Sequence, residues 1–140
     1  MTASDRWIVI YDGECGVCAT LLALLLRADR DRRLRPLALG TPESDALLSD
    51  LCPAEREASW HLIDPAGHRE SAGAAAPPLL RLLPGGDTPA ALLARFPRQT
   101  ERAYRAVADH RTTIGRWLPS SVKRRAKRTV AVRTELATER

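Results

Sequence analysis

The chain has 140 residues and a mass of 15.4 kDa, the size of one domain with a single core and little room for a second. Its 44% hydrophobic and 28% charged residues exclude a disordered chain, and an aromatic content of 4% leaves the core mostly to Leu, Ala and Val. The formal net charge of +5 is unevenly placed: residues 1–101 hold 11 basic and 14 acidic side chains, whereas residues 102–128 hold 9 basic ones and only Asp109 as an acid.

Residues 1–7 mix both charge signs and contain no apolar stretch, so they do not read as a secretory signal, and a cytoplasmic location is expected. No segment reaches the roughly 18 uninterrupted apolar residues of a membrane span; residues 19–26 come nearest. Trp7-Ile8-Val9-Ile10-Tyr11 is a β-branched and aromatic run closed by Asp12-Gly13, the pattern of a buried strand ending in a turn. From Cys15 the Leu-rich run through Arg27 is apolar nearly all round, which predicts a buried helix ending between residues 27 and 31. Residues 34–39 follow as a short strand whose Pro36 assigns it to an edge or an irregular segment.

Residues 44–51 predict a short helix before Cys52-Pro53. Residues 60–64 and 68–71 pair as a hairpin across Asp64-Pro65-Ala66-Gly67, where Pro and Gly stand as a tight turn requires. Residues 73–83 are helical in pattern, with Pro77 and Pro78 confined to the first turn or delaying the start, and residues 89–96 begin another helix. Strand, helix, strand, helix, hairpin, helix is an α/β order: a small central mixed sheet flanked by helices, with a helical basic extension at the C-terminus.

Three cysteines in a chain of this kind do not make a structural disulfide framework, so the close pair in Cys15-Gly16-Val17-Cys18 carries the chemical interest. Three residues apart at a strand-to-helix junction, the two thiols share one helical face and can close reversibly into a disulfide. Cys15 stands at the helix N-terminus, where unpaired N–H groups and the dipole favour thiolate, and is the candidate nucleophile; Cys18, one turn inward and shielded, is the candidate resolving thiol. Gly13 permits a sharp turn after the strand and Gly16 leaves the Cys15 sulfur open, although both also read as turn punctuation. Asp12 and Glu14 oppose a thiolate, so Asp12 is assigned a capping or turn-stabilising role, and a moderate thiolate pKa with a reducing couple is expected. This chemistry calls for neither cofactor nor metal.

Tyr11-Asp12-Gly13-Glu14-Cys15-Gly16-Val17-Cys18 resembles the Y-D-G-x-C-x-x-C opening of the DCC family of predicted thiol-disulfide oxidoreductases. Leu62-Ile63-Asp64 with Gly67, then residues 73–76 and 79–85, resemble that family's middle block, and Tyr104, Val107-Ala108 and Arg111 its closing helix, so the likeness spans roughly residues 7–118. The resemblance implies a thioredoxin-like domain over residues 1–118, with residues 119–140 a basic tail, and disulfide exchange through Cys15 and Cys18 with a protein or small-molecule disulfide or thiol. One departure is that Ser59, not proline, precedes the strand at Trp60, where thioredoxins keep a cis-Pro beside the active site.

Two other readings stand beside this one. A zinc site would combine Cys15 and Cys18 with Cys52 and His61 or His68, although their spacing forms no second knuckle. Cys52 reads instead as a small buried residue at a helix end, His61 as a packed strand residue and His68 as an exposed one. In the other reading, an interaction module would use Arg111, Arg116 and the run Lys123-Arg124-Arg125-Ala126-Lys127-Arg128 for weak contact with an anionic surface or nucleic acid. That run otherwise reads as a solvated, partly frayed helix, dispensable for the fold.

Overall fold

The computed structural model describes residues 5–139; the first four residues of the N-terminal stretch read above, and Arg140 of the tail, lie outside them. In chain order the elements are β1 (Trp7–Tyr11), α1 (Gly16–Ala28), β2 (Leu34–Ala38), α2 (Pro42–Leu47), α3 (Pro53–Ala58), β3 (His61–Ile63) and β4 (Arg69–Ser71). A 3₁₀ turn (Ala72–Ala75) leads into α4 (Ala76–Arg81), then α5 (Asp87–Arg95), α6 (Pro97–Asp109), α7 (Arg111–Trp117) and α8 (Ser120–Thr138).

The four strands form one mixed sheet in the order β2-β1-β3-β4. β1 runs parallel to β2, which requires a crossover, and α1 supplies it; β1 and β3, then β3 and β4, are antiparallel. Pro36 sits opposite Val9 on β2, an edge strand, where a residue without an N–H costs the ladder nothing. The period-two alternation of β1 divides the core. Trp7, Val9 and Tyr11 face α1, α4 and α8, while Ile8 and Ile10 face Leu37, Leu47, Leu48 and Leu51 on the other side. This α/β arrangement, with helices on both faces of a four-stranded mixed sheet, is consistent with a thioredoxin-like fold.

Local chemistry explains the helix starts. Thr41 caps α2 through a reciprocal pair with Ser44, so this helix begins two residues before the expected start. Pro77 and Pro78 fall in the first turn of α4, and the segment ahead of them tightens into the 3₁₀ turn. The helix α3 lies where no element was expected. Pro53 suits only its first turn, which makes Cys52 the N-cap and puts it at the surface rather than in the core.

Two further expectations are corrected. The α1 helix is not buried all round: Val17, Ala19, Leu22, Ala23 and Leu26 are covered, but Leu21 and Leu24 are 47% and 56% exposed. The basic C-terminal segment is not a frayed, solvated helix, because α8 lies along α1 and puts Ala126 and Val130 into the same core as Val9 and Leu22. Small side chains on that stripe let the two helices approach closely. Asp29 at the end of α1 is fully buried and accepts from the backbone N–H groups of Arg33 and Leu34 and from the Arg133 guanidinium of α8. Arg133 also donates to the Leu26 carbonyl, one of the oxygens that a helix end leaves unpaired. Among the described residues no helix is long and apolar enough to cross a membrane.

Candidate active site

β1 delivers the chain to the site and a short turn orients it. The Asp12 carboxylate accepts the Glu14 N–H at 3.0 Å and the Asp12 carbonyl accepts the Cys15 N–H at 3.3 Å, so Asp12 stabilises the turn. Cys15 has extended backbone angles and is the N-cap of α1, with its Sγ accepting the Cys18 N–H at 3.4 Å. A sulfur thus fills the position usually given to a Ser or Asp oxygen, where the helix dipole favours negative charge. Both thiols are free and partly buried.

The two cysteines are electrostatically unequal. Burial, followed by the hydrogen bond and charge of Cys15, pushes the Cys18 thiol up to about 12, while the Arg111 guanidinium pulls in the opposite direction. Arg111 opens α7 and also faces Cys15 and Asp12. Tyr104 of α6 lies within electrostatic reach of both Cys18 and Arg111: burial raises its hydroxyl, the Trp60 N–H and Arg111 counter this, and Cys18 and Glu101 act with burial. The Tyr104 hydroxyl accepts the Trp60 N–H at 3.1 Å and the two rings stack with centroids 6.0 Å apart. Ser59 still precedes Trp60, and the backbone N–H at the start of β3 is occupied from within the chain.

The neighbouring glycines play unequal parts. A Cβ on Gly13 would meet Ala38 at an ordinary 3.7 Å, and Gly13 does not adopt a positive φ, so neither sterics nor backbone angle demands glycine there. Gly16 is different. A Cβ on it would lie 2.9 Å from Cδ of Lys123, so its bareness makes room for the Lys123 stem from α8 rather than simply leaving the sulfur open. A groove of about 400 Å³ runs past Cys15 and Gly16, with Arg111 and Arg116 of α7 and Lys123 of α8 in its lining.

The proposed zinc ligands are not gathered. Among the described residues no three His, Cys, Asp or Glu side chains come together as a metal requires. His61 is buried in β3, its Nε2–H donating to the Arg56 carbonyl and its Nδ1 accepting from Ser71, and burial lowers its pKa. His68 is exposed beside Asp64, and Cys52 is exposed, its N–H donating to Glu55.

A family model described as DCC1-like thiol-disulfide oxidoreductase matches residues 9–117. The chain belongs to that family. Its members are thiol-disulfide oxidoreductases, which implies partners that exchange thiols and disulfides, and in this member the two cysteines lie together at the start of α1. No curated protein and no solved structure matches the chain significantly. The family match ends at Trp117, so α8, which brings Lys123 to the groove, lies beyond it. Arg111 and Tyr104 entered the sequence reading only through the resemblance and the basic count. Their place beside Cys18 depends on how α6 and α7 pack, for which neither offers a local signal.

Proposed function

We propose that the reduced protein attacks a partner disulfide through Cys15 and is released by Cys18. The observation that carries this reading is the inequality of the two thiols: Cys15 is the helix N-cap with its sulfur on an N–H donor, while burial holds Cys18 protonated. In the first step the Cys15 thiolate bonds to one partner sulfur, and the other sulfur leaves as a thiolate that takes up a proton. Capture removes the negative charge on Cys15. The charge of Cys15 then no longer raises Cys18, while Arg111 still acts against burial, and the Cys18 thiolate becomes more accessible. In the second step Cys18 attacks the Cys15 Sγ, expelling the second partner thiol; the protein is oxidised by two electrons and the partner is reduced to two thiols.

Asp12 supports this site by holding the turn, and Gly16 by admitting the α8 side chain; Gly13 was named with them from the sequence and has no comparable contact. The test is differential trapping. After exposure to a small disulfide, Cys18→Ala is expected to accumulate a mixed disulfide that reductant cleaves, whereas Cys15→Ala forms none, as read by intact-mass spectrometry. Equal trapping by both variants would remove the assigned roles.

A further inference from the structure

Three cations, Arg111, Arg116 and Lys123, line the groove beside Cys15, and two acids, Asp12 and Glu14, enter it from the β1–α1 turn. These charges are not equally committed. Arg111 faces Asp12 and both thiols, and the Asp12 carboxylate is engaged with a backbone N–H of its own turn. Arg116 and Lys123 have no ion-pair partner among the described residues. The aliphatic stem of Lys123 lies over Gly16, in a space that a side chain at that position would fill. Positive charge is therefore presented at the mouth of a thiol groove by two elements, α7 and α8, that carry no cysteine of their own.

Size and backbone chemistry narrow the ligand. At about 400 Å³ the groove is in the range of small-molecule sites. The Trp60 N–H, just before β3, is already given to Tyr104 and is not free to hold the backbone of a peptide substrate. We propose, on the basis of the oxidoreductase reading above, that the substrate is a low-molecular-weight disulfide whose carboxylates flank the sulfurs, and that Lys123 and Arg116 set this preference. A carboxylate meeting Arg116 and Lys123 brings the disulfide to Cys15. The exchange is that given above: Cys15 bonds to one sulfur and the other departs as a thiol carrying its own carboxylate.

The experiment uses the full reduced chain in single turnover, so the protein's own dithiol is the reductant. Rates are measured with dithiodiglycolate, hydroxyethyl disulfide and cystamine, which are anionic, neutral and cationic, and each is divided by the rate with free mercaptoethanol. The anionic disulfide is expected to lead the cationic one by about tenfold, a ratio that shrinks as salt screens the groove. Lys123→Met, which keeps the stem, combined with Arg116→Glu should bring the ratio close to one, and Lys123→Arg should retain it. A wild-type ratio at or below one, or a ratio that survives the double variant with its fold intact, would overturn the proposal while leaving disulfide exchange standing. An acidic peptide disulfide outpacing dithiodiglycolate would overturn the small-molecule assignment. No reaction with any of these disulfides would overturn the oxidoreductase reading and this proposal with it.

Discussion

A thiol held up to about 12 is a weak nucleophile at neutral pH, and at Cys18 the cation that opposes burial is Arg111. Because the pKa is raised, the reactive thiolate is the minor form across the physiological range and gains about tenfold per pH unit below that pKa. In the mixed disulfide the charge of Cys15 is gone but burial still raises Cys18, so closure should accelerate from about pH 7 to about pH 9, with no plateau until the thiolate is the major form. Replacing Arg111 by Met removes the opposing charge and should slow closure about tenfold at neutral pH, more than it slows capture at Cys15. Quenched-reaction mass spectrometry, following how long the mixed disulfide persists, separates the two steps; an unchanged lifetime in Arg111→Met would show that the guanidinium does not act on Cys18. The closeness of the two thiols at the start of α1 was legible in the sequence, since spacing and a strand-to-helix junction are local properties. Arg111 was not legible as a partner of Cys18, because the sequence separation between them is closed only by packing.

At the scale of elements, α1 and α8 behave as one unit. Ala126, Val130, Arg133 and Ala137 follow one another at spacings of four, three and four residues, a helical stripe of small side chains interrupted by one arginine. That arginine closes the end of α1 on Asp29, whose carboxylate has no exposed surface. Arg133→Met should destabilise the fold by roughly 3 kcal/mol, the low end for removing one partner of a buried pair, because Asp29 keeps two backbone N–H donors. A urea melt measures it, and a loss below about 0.5 kcal/mol would mean that water replaces the guanidinium at no cost. The stripe was present in the sequence but hidden by composition. Six residues of almost unbroken charge around Ala126 suggest a solvated helix, and two alanines and a valine carry little hydrophobic signal until a neighbour with matching small residues, such as Ala19 and Ala23, is known to face them.

For the molecule as a whole, α8 shares one apolar cluster with β1, α1 and α4, so its removal opens the core on that face of the sheet. Deleting residues 119–140 should abolish the cooperative thermal transition followed by circular dichroism, because Val130, Ala126 and the partner of Asp29 leave together. A truncated chain that melts cooperatively near the wild-type temperature would restore the view of this segment as an accessory tail. The exposed cations Arg124, Arg125, Lys127 and Arg128 remain on the outer side of α8, while Lys123 turns toward Gly16 and the groove. The strands, the parallel crossover through α1 and the cysteine pair were all determined by the sequence itself, since each rests on periodicity, turn residues or spacing within a few positions, whereas Pro36 left its segment either an edge strand or irregular. The embedding of α8, the surface position of Cys52 and the meeting of Arg111, Tyr104 and Lys123 around two thiols were decided only by the tertiary structure. Their physical basis is the burial of surfaces far apart in the chain, and which surfaces meet is known only once the elements have packed.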